Sequence, residues 1–152
     1  MSAGAISARV ARIEAGQDPA LLATLESGYA IFGKFQPGPV RGACMLLPRR
    51  VVASPNDLDP GERRAFFADL VLIGDAILAV TGAERINYLV LCNQVPELHG
   101  HCIPRFASED ARLRLQGPFE AYDFGSAPEA DPTGADAQLC AALRAELARL
   151  RS

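Results

Sequence analysis

The sequence predicts an α+β domain, an antiparallel β-sheet with helices on one face. Three observations predict it. One long stretch carries apolar residues at helical spacing behind a strong N-terminal cap. Several short apolar runs are bounded by proline and glycine. Two of those runs are joined by a connection too short for anything but antiparallel neighbours.

Taken in order, residues 6–15 have apolar positions at Ile6, Val10 and Ile13, the spacing of a short amphipathic helix. Gly16-Gln17-Asp18-Pro19 breaks it. Residues 21–25 and 29–32 are apolar runs separated by Glu26-Ser27-Gly28, which predicts a hairpin; a short helix opened by Asp18-Pro19 is the alternative. Gln36-Pro37-Gly38-Pro39 is a loop, and residues 43–47 read as a buried strand closed by Pro48. The clearest helix follows, with Asp59 as N-cap, Pro60 at N1 and Glu62 at N3 completing a capping box. Phe66, Phe67, Leu70, Ile73, Ile77 and Val80 form its apolar stripe, and Gly82 ends it.

Residues 85–92 read as a central strand from their β-branched and aromatic content. Asn93-Gln94-Val95-Pro96 connects them to a strand over 97–103. Residues 108–132 are polar, rich in proline and glycine, and irregular, with 127–132 as a linker. Residues 138–150 form a closing helix with Leu139, Leu143, Leu147 and Leu150 on one side, a face suited to a partner subunit. The whole chain, 1–152, reads as a single domain, with a core over about 20–125 and a C-terminal helix over about 136–151.

Bulk properties exclude several functions. The net charge is -3, Lys34 is the only lysine, and the arginines are scattered, so no nucleic-acid polymer is expected as a partner. No apolar run reaches membrane-spanning length, and no apolar core of a signal peptide follows Arg9 and Arg12. Cys44, Cys92, Cys102 and Cys140 form no C-x-x-C pair and read as thiols of a reducing cytoplasm.

The most informative stretch is Glu97-Leu98-His99-Gly100-His101-Cys102-Ile103-Pro104, which holds both histidines of the chain. On a strand, alternate residues share a face, so Glu97, His99 and His101 would point the same way. That trio suits a phosphate, a metal or a proton. Gly100 leaves space beside the backbone, as where a ligand approaches closely. Arg105 supplies a cation that holds negative charge or faces solvent.

The span from Gly42 to Phe106 resembles the histidine triad (HIT) superfamily of nucleotide hydrolases and transferases. The pieces that carry the resemblance are Gly42-Ala43-Cys44-Met45-Leu46-Leu47-Pro48, then Asp57-Leu58-Asp59-Pro60-Gly61-Glu62, then Arg85-Ile86-Asn87-Tyr88. The last is Asn93-Gln94-Val95-Pro96-Glu97-Leu98-His99-Gly100-His101-Cys102-Ile103-Pro104-Arg105. The resemblance is closest to a bacterial branch of small HIT-like proteins that continue with a Gly-Pro-aromatic element such as Gly117-Pro118-Phe119. Two departures stand out. Glu97 occupies the place of the first motif histidine, and Val51 stands where many relatives have a further histidine.

The resemblance implies a HIT-like sheet of about five strands with a long helix on one face and terminal helices. It also implies a small-molecule nucleotide as ligand and cleavage of a phosphoanhydride or phosphoramidate bond at the α-phosphate through a nucleotidyl-histidine. Such enzymes need no cofactor and are commonly homodimers. His99 takes the nucleophile's place and His101 the phosphate donor's. Gln94 falls where some branches place a group assisting the leaving group, and Asn93, Asn87 and Arg105 are candidate substrate contacts. Glu97 is expected to accept a hydrogen bond from an imidazole and orient it, or else to face water. A nucleotide-binding protein without turnover, and a zinc site on Glu97, His99 and His101, are the competing readings.

Overall fold

Five strands, β1 (Leu21–Thr24), β2 (Gly28–Phe32), β3 (Cys44–Pro48), β4 (Arg85–Leu89) and β5 (Gly100–Arg105), pair in the computed structural model, which describes residues 4–152. All pairings are antiparallel, in the order β1-β2-β3-β5-β4. The α+β class is as expected, and β1 and β2 form the hairpin rather than the alternative helix. The run from 85 is a correction, because it lies at the sheet edge and not at its centre. It ends at Leu89, and Arg85 and Tyr88 are exposed, as suits an edge strand.

The helix predicted from the capping box is α2 (Pro60–Thr81). The Glu62 carboxylate accepts the Asp59 N–H at 3.0 Å, and Gly82, at φ 71°, closes the helix in the left-handed region. Arg50 grips the same carboxylate at 2.6 Å; that bond first, and the Asp59 N–H second, push the Glu62 carboxyl down to about 2.

Strand alternation divides the apolar residues between two faces. Ala30, Phe32, Cys44, Leu46 and Cys102 pack against Phe66, Leu70, Ile73 and Ile77 of α2. Cys140, Leu143 and Leu147 of α4 (Ala137–Leu150) join the same core. The face of α4 expected to meet a partner is therefore spent on this chain's own α2 and β1. Gly100 is likewise explained by packing. A Cβ there would lie 2.7 Å from Leu70 Cδ1, so its missing side chain admits α2 rather than a ligand.

Helices are not confined to one face. On the opposite face, Ile6, Val10 and Ile13 of α1 (Ala5–Glu14) cover Tyr29, Ile31 and Leu47. Beyond them lies the segment around α3 (Pro118–Ala121), with Tyr122 and Phe124 packed near Ile103. Residues 127–132, read as a linker, are strapped to the body, since Ala130 N–H donates to Lys34 O at 2.7 Å and Gln36 N–H to Pro128 O at 2.9 Å.

Asp69 of α2 is buried and accepts from the Ser27 N–H at 2.8 Å and the Ser27 hydroxyl at 2.7 Å, fixing the β1–β2 turn on the helix. Asp69→Ala leaves a backbone donor unpaired, so the free energy of unfolding in urea should drop by about 1–3 kcal/mol. Ser27→Ala, which removes only the hydroxyl, should cost less.

Candidate functional site

The site is built where the chain returns from the edge of the sheet to its interior. At Cys92 the backbone takes φ 58°, rare for a residue with a side chain, and turns out of β4 into the loop of Asn93 to Pro96. Asn93 and Gln94 are exposed in that loop. The chain is then seized at Leu98, which is fully buried and donates its N–H to Val52 O at 2.7 Å. β5 begins only at Gly100, so Glu97 and His99, expected on a strand over 97–103, lie just ahead of it.

His99 Nδ1 lies 2.7 Å from the carbonyl oxygen of Glu97. A carbonyl only accepts, so Nδ1 carries the hydrogen and the neutral ring presents its lone pair at Nε2. The peptide that orients His99 is the same one whose N–H is fixed by Val52. His99 is buried to 7% exposure, and its ring meets that of His101 edge-to-face, centroids 5.1 Å apart.

His101 sits on β5 between Met45 of β3 and Leu89 of β4. Burial first, and the charge of His99 second, push its pKa down to about 4. Its ring also meets that of Phe119 of α3, again edge-to-face at 5.1 Å, and Phe119 in turn meets Phe124 at 4.9 Å.

The Glu97 side chain departs from expectation. Its carboxylate does not reach an imidazole. It accepts the Ile6 N–H at 2.9 Å, with the Ser7 N–H and hydroxyl as further donors, and so caps α1 from across the chain. Gly4 precedes α1 and has no side chain to do this, and a carboxylate is favoured at a helix N-terminus. Burial works to raise the Glu97 carboxyl, but the bonds from Ser7 and Ile6 together hold it below its usual range. Only the backbone of Glu97 orients a histidine. With its carboxylate turned to α1, Glu97 does not converge with His99 and His101 as metal ligands. Among the described residues no three such groups do.

Arg105 is also placed otherwise than expected. Arg105 is 5% exposed, and all five of its N–H groups find acceptors inside the protein. Nε and Nη2 bond the Glu109 carboxylate at 3.2 and 3.0 Å, and Nη2 also bonds Leu113 O at 2.9 Å. Nη1 bonds Asn87 Oδ1 at 2.8 Å and Gln116 O at 2.7 Å. The guanidinium is therefore not free for a phosphate, and it fixes the Asn87 side chain through the carbonyl oxygen.

Glu109 takes the Phe106 N–H at 2.7 Å and the Tyr122 hydroxyl at 2.6 Å. Burial would raise the Glu109 carboxyl, but Arg105 and Tyr122 hold it below its usual range. Burial and the neighbouring carboxylate push the Tyr122 hydroxyl up to about 12. Beside this cluster an open groove of about 500 Å³ runs between β4 and Gln116 to Pro118, bordered by Asn87 and Arg114.

Sequence reasoning missed Glu109, Tyr122 and the contact of Phe119 with His101. The residues four apart in Arg105 and Glu109 were a faint signal, lost because an irregular segment has no periodicity to read.

No protein-family model matches the chain, and no curated protein matches its sequence. Solved structures do match. A hypothetical histidine triad nucleotide-binding protein of Sulfolobus tokodaii superimposes with a TM-score of 0.70 at 16% identity, covering 93% of this chain and 92% of that one. A histidine triad protein of Bradyrhizobium japonicum gives 0.68 at 22% identity, covering 84% and 89%. A zinc-bound histidine triad family protein of Mycobacterium smegmatis gives 0.67 at 19% identity, covering 99% and 96%. The chain has the fold of the histidine triad proteins.

The buried imidazole makes stability depend on pH. An unfolded histidine takes up a proton near its ordinary value of 6.5, whereas folded His101 refuses it until about pH 4. Folding should therefore lose about 3 kcal/mol as pH falls from 6.5 to 4. NMR titration of the two imidazoles checks this directly. A His101 midpoint near 4 is expected, and His101→Asn should flatten the loss seen by urea denaturation at pH 7 and pH 4.5.

Proposed function

We propose that the chain binds a nucleotide and cleaves a phosphoanhydride or phosphoramidate bond at its α-phosphate, as a hydrolase or nucleotidyl transferase. The observation that supports this best is the Nδ1–H of His99 bonded to the Glu97 carbonyl, which leaves the lone pair on Nε2. That nitrogen attacks the α-phosphorus, and the leaving group departs with the electron pair of the P–O or P–N bond and takes a proton from water. The intermediate is a nucleotidyl-histidine. Water attacks the phosphorus in turn, the Nε2–P bond breaks, and a nucleoside monophosphate leaves. His101, neutral and rigidly held, donates an N–H to a phosphate oxygen. Gln94 and Asn93 are neutral donors on the approach loop. Glu97 serves through its backbone, and no metal or cofactor takes part.

A second reading, nucleotide binding without turnover, has its own support. His101 is uncharged at neutral pH and Arg105 is sequestered, so neither supplies a cation to spread the charge of a transition state. Dinucleoside polyphosphates and nucleoside phosphoramidates, read by product identity, separate the two readings. Wild type should release the nucleoside monophosphate and carry a nucleotidyl adduct on His99 after rapid quenching. His99→Ala should be slower by about 10³-fold or more. Tight binding with neither product nor adduct would favour the second reading.

The same proposal places the chain in a reducing cytoplasm, in keeping with four free thiols. No helix among the described residues is long and apolar enough to cross a membrane. It also pairs the chain with a second copy. β4 has a partner on one side only; Tyr88 on it and Leu91 just beyond it are exposed, as are Phe67 and Val71 of α2, the helix against whose Gly74 the Tyr88 hydroxyl lies. A two-fold pairing of β4 edges would cover these side chains. Sedimentation should report a dimer, and Val71→Glu should give a folded monomer.

A further inference from the structure

The ring of Phe119 has no part in the chemistry above, yet it is fixed beside it with care. α3 is a single turn, too short to hold itself. Its approach is held by the Arg105 Nη1 bond to Gln116 O, and its exit by the Tyr122 hydroxyl on Glu109. Arg105 lies four residues beyond His101 on the same strand, so its side chain and the His101 ring share one face of the sheet. The buried ion pair thus sets the ring against the imidazole. His101 and Phe124 take two sides of the ring, and 38% of the residue stays open to solvent.

We propose that Phe119 is a specificity-determining wall of the histidine site, selecting phosphates that carry a planar aromatic ring. The inference rests on the phosphate-binding reading of His99 and His101. The Phe119 ring touches the His101 ring, so a phosphate held by His101 would lie close to it, and a planar group borne on that phosphate would find its exposed part within reach. A planar group takes that surface out of water and stacks on it. The wall is already ordered in the free protein, so the ligand does not bear the entropy of ordering it. The aromatic ring of the ligand has two sources, a nucleobase reached through a ribose or an aryl leaving group directly on the phosphate.

Calorimetry with adenosine monophosphate, phenyl phosphate and ribose 5-phosphate tests this on wild type, Phe119→Ala and Phe119→Leu. The leucine variant keeps an apolar contact on His101 and guards against a folding defect. Wild type should bind at least one ring-bearing ligand about tenfold more tightly than ribose 5-phosphate. Both variants should lose that margin and hold ribose 5-phosphate within about twofold. A margin lost for adenosine monophosphate assigns the nucleobase, and one lost for phenyl phosphate assigns the leaving group. The proposal is overturned if the margin survives in both variants, or if all three ligands bind more tightly once the ring is gone. Failure of folded wild type to bind ribose 5-phosphate or either ring-bearing ligand would instead sink the phosphate-site reading itself.

Discussion

A guanidinium buried at the end of β5 has five N–H groups to satisfy, and the way Arg105 does so within the protein organises one side of the molecule. Its bonds run to Asn87 on the edge strand, to Glu109 in the turn beyond β5, and to the backbone at Leu113 and Gln116. The edge strand and the irregular stretch from Glu109 to Gln116 are drawn to one point. The Glu109 carboxylate spreads the effect by taking the Tyr122 hydroxyl and the Phe106 N–H. Removing one member would leave buried partners unpaired, which is why such clusters hold as units. The position of the ring beside His101 follows from this cluster rather than from any preference of α3.

The other half of the site is held by a single peptide. The unit joining Glu97 to Leu98 offers its N–H to Val52 and its carbonyl to His99. One end is locked by the burial of Leu98 and the other fixes a tautomer. The result is a nucleophile candidate whose orientation is set by main-chain geometry, next to an imidazole kept neutral by its surroundings. A phosphate in such a place would be met by N–H donors and a lone pair, with little formal positive charge. Binding would then depend on geometry more than on ionic strength.

Much of the frame could be read from the sequence because the signals were local. Asp59, Pro60 and Glu62 marked the start of α2, Gly82 its end, and Phe66, Leu70, Ile73 and Ile77 its buried side, although Phe67 of the same stripe is exposed. The pairing of the strands on either side of the Asn93 to Pro96 loop followed from its shortness. The alternation of His99 and His101 correctly put the two rings on one side. What escaped was contact between distant residues. Glu97 meets α1 across about ninety positions, Arg105 finds carbonyls in a stretch with no period, and α4 folds back onto α2 instead of outward. Gly100 shows the same limit. A small residue beside a motif reads equally as room for a ligand or room for a helix, and only the packing of Leu70 decides.

The attachment of α1 has an implication for the motif itself. The carboxylate at position 97 receives several donors from one helix end at once. An imidazole has at most one unshared pair to offer and could not replace it. Histidine at 97 would therefore leave donors of that helix end without an acceptor. The departure from a three-histidine pattern completes, in this chain, a mooring that the burial of Ile6, Val10 and Ile13 begins.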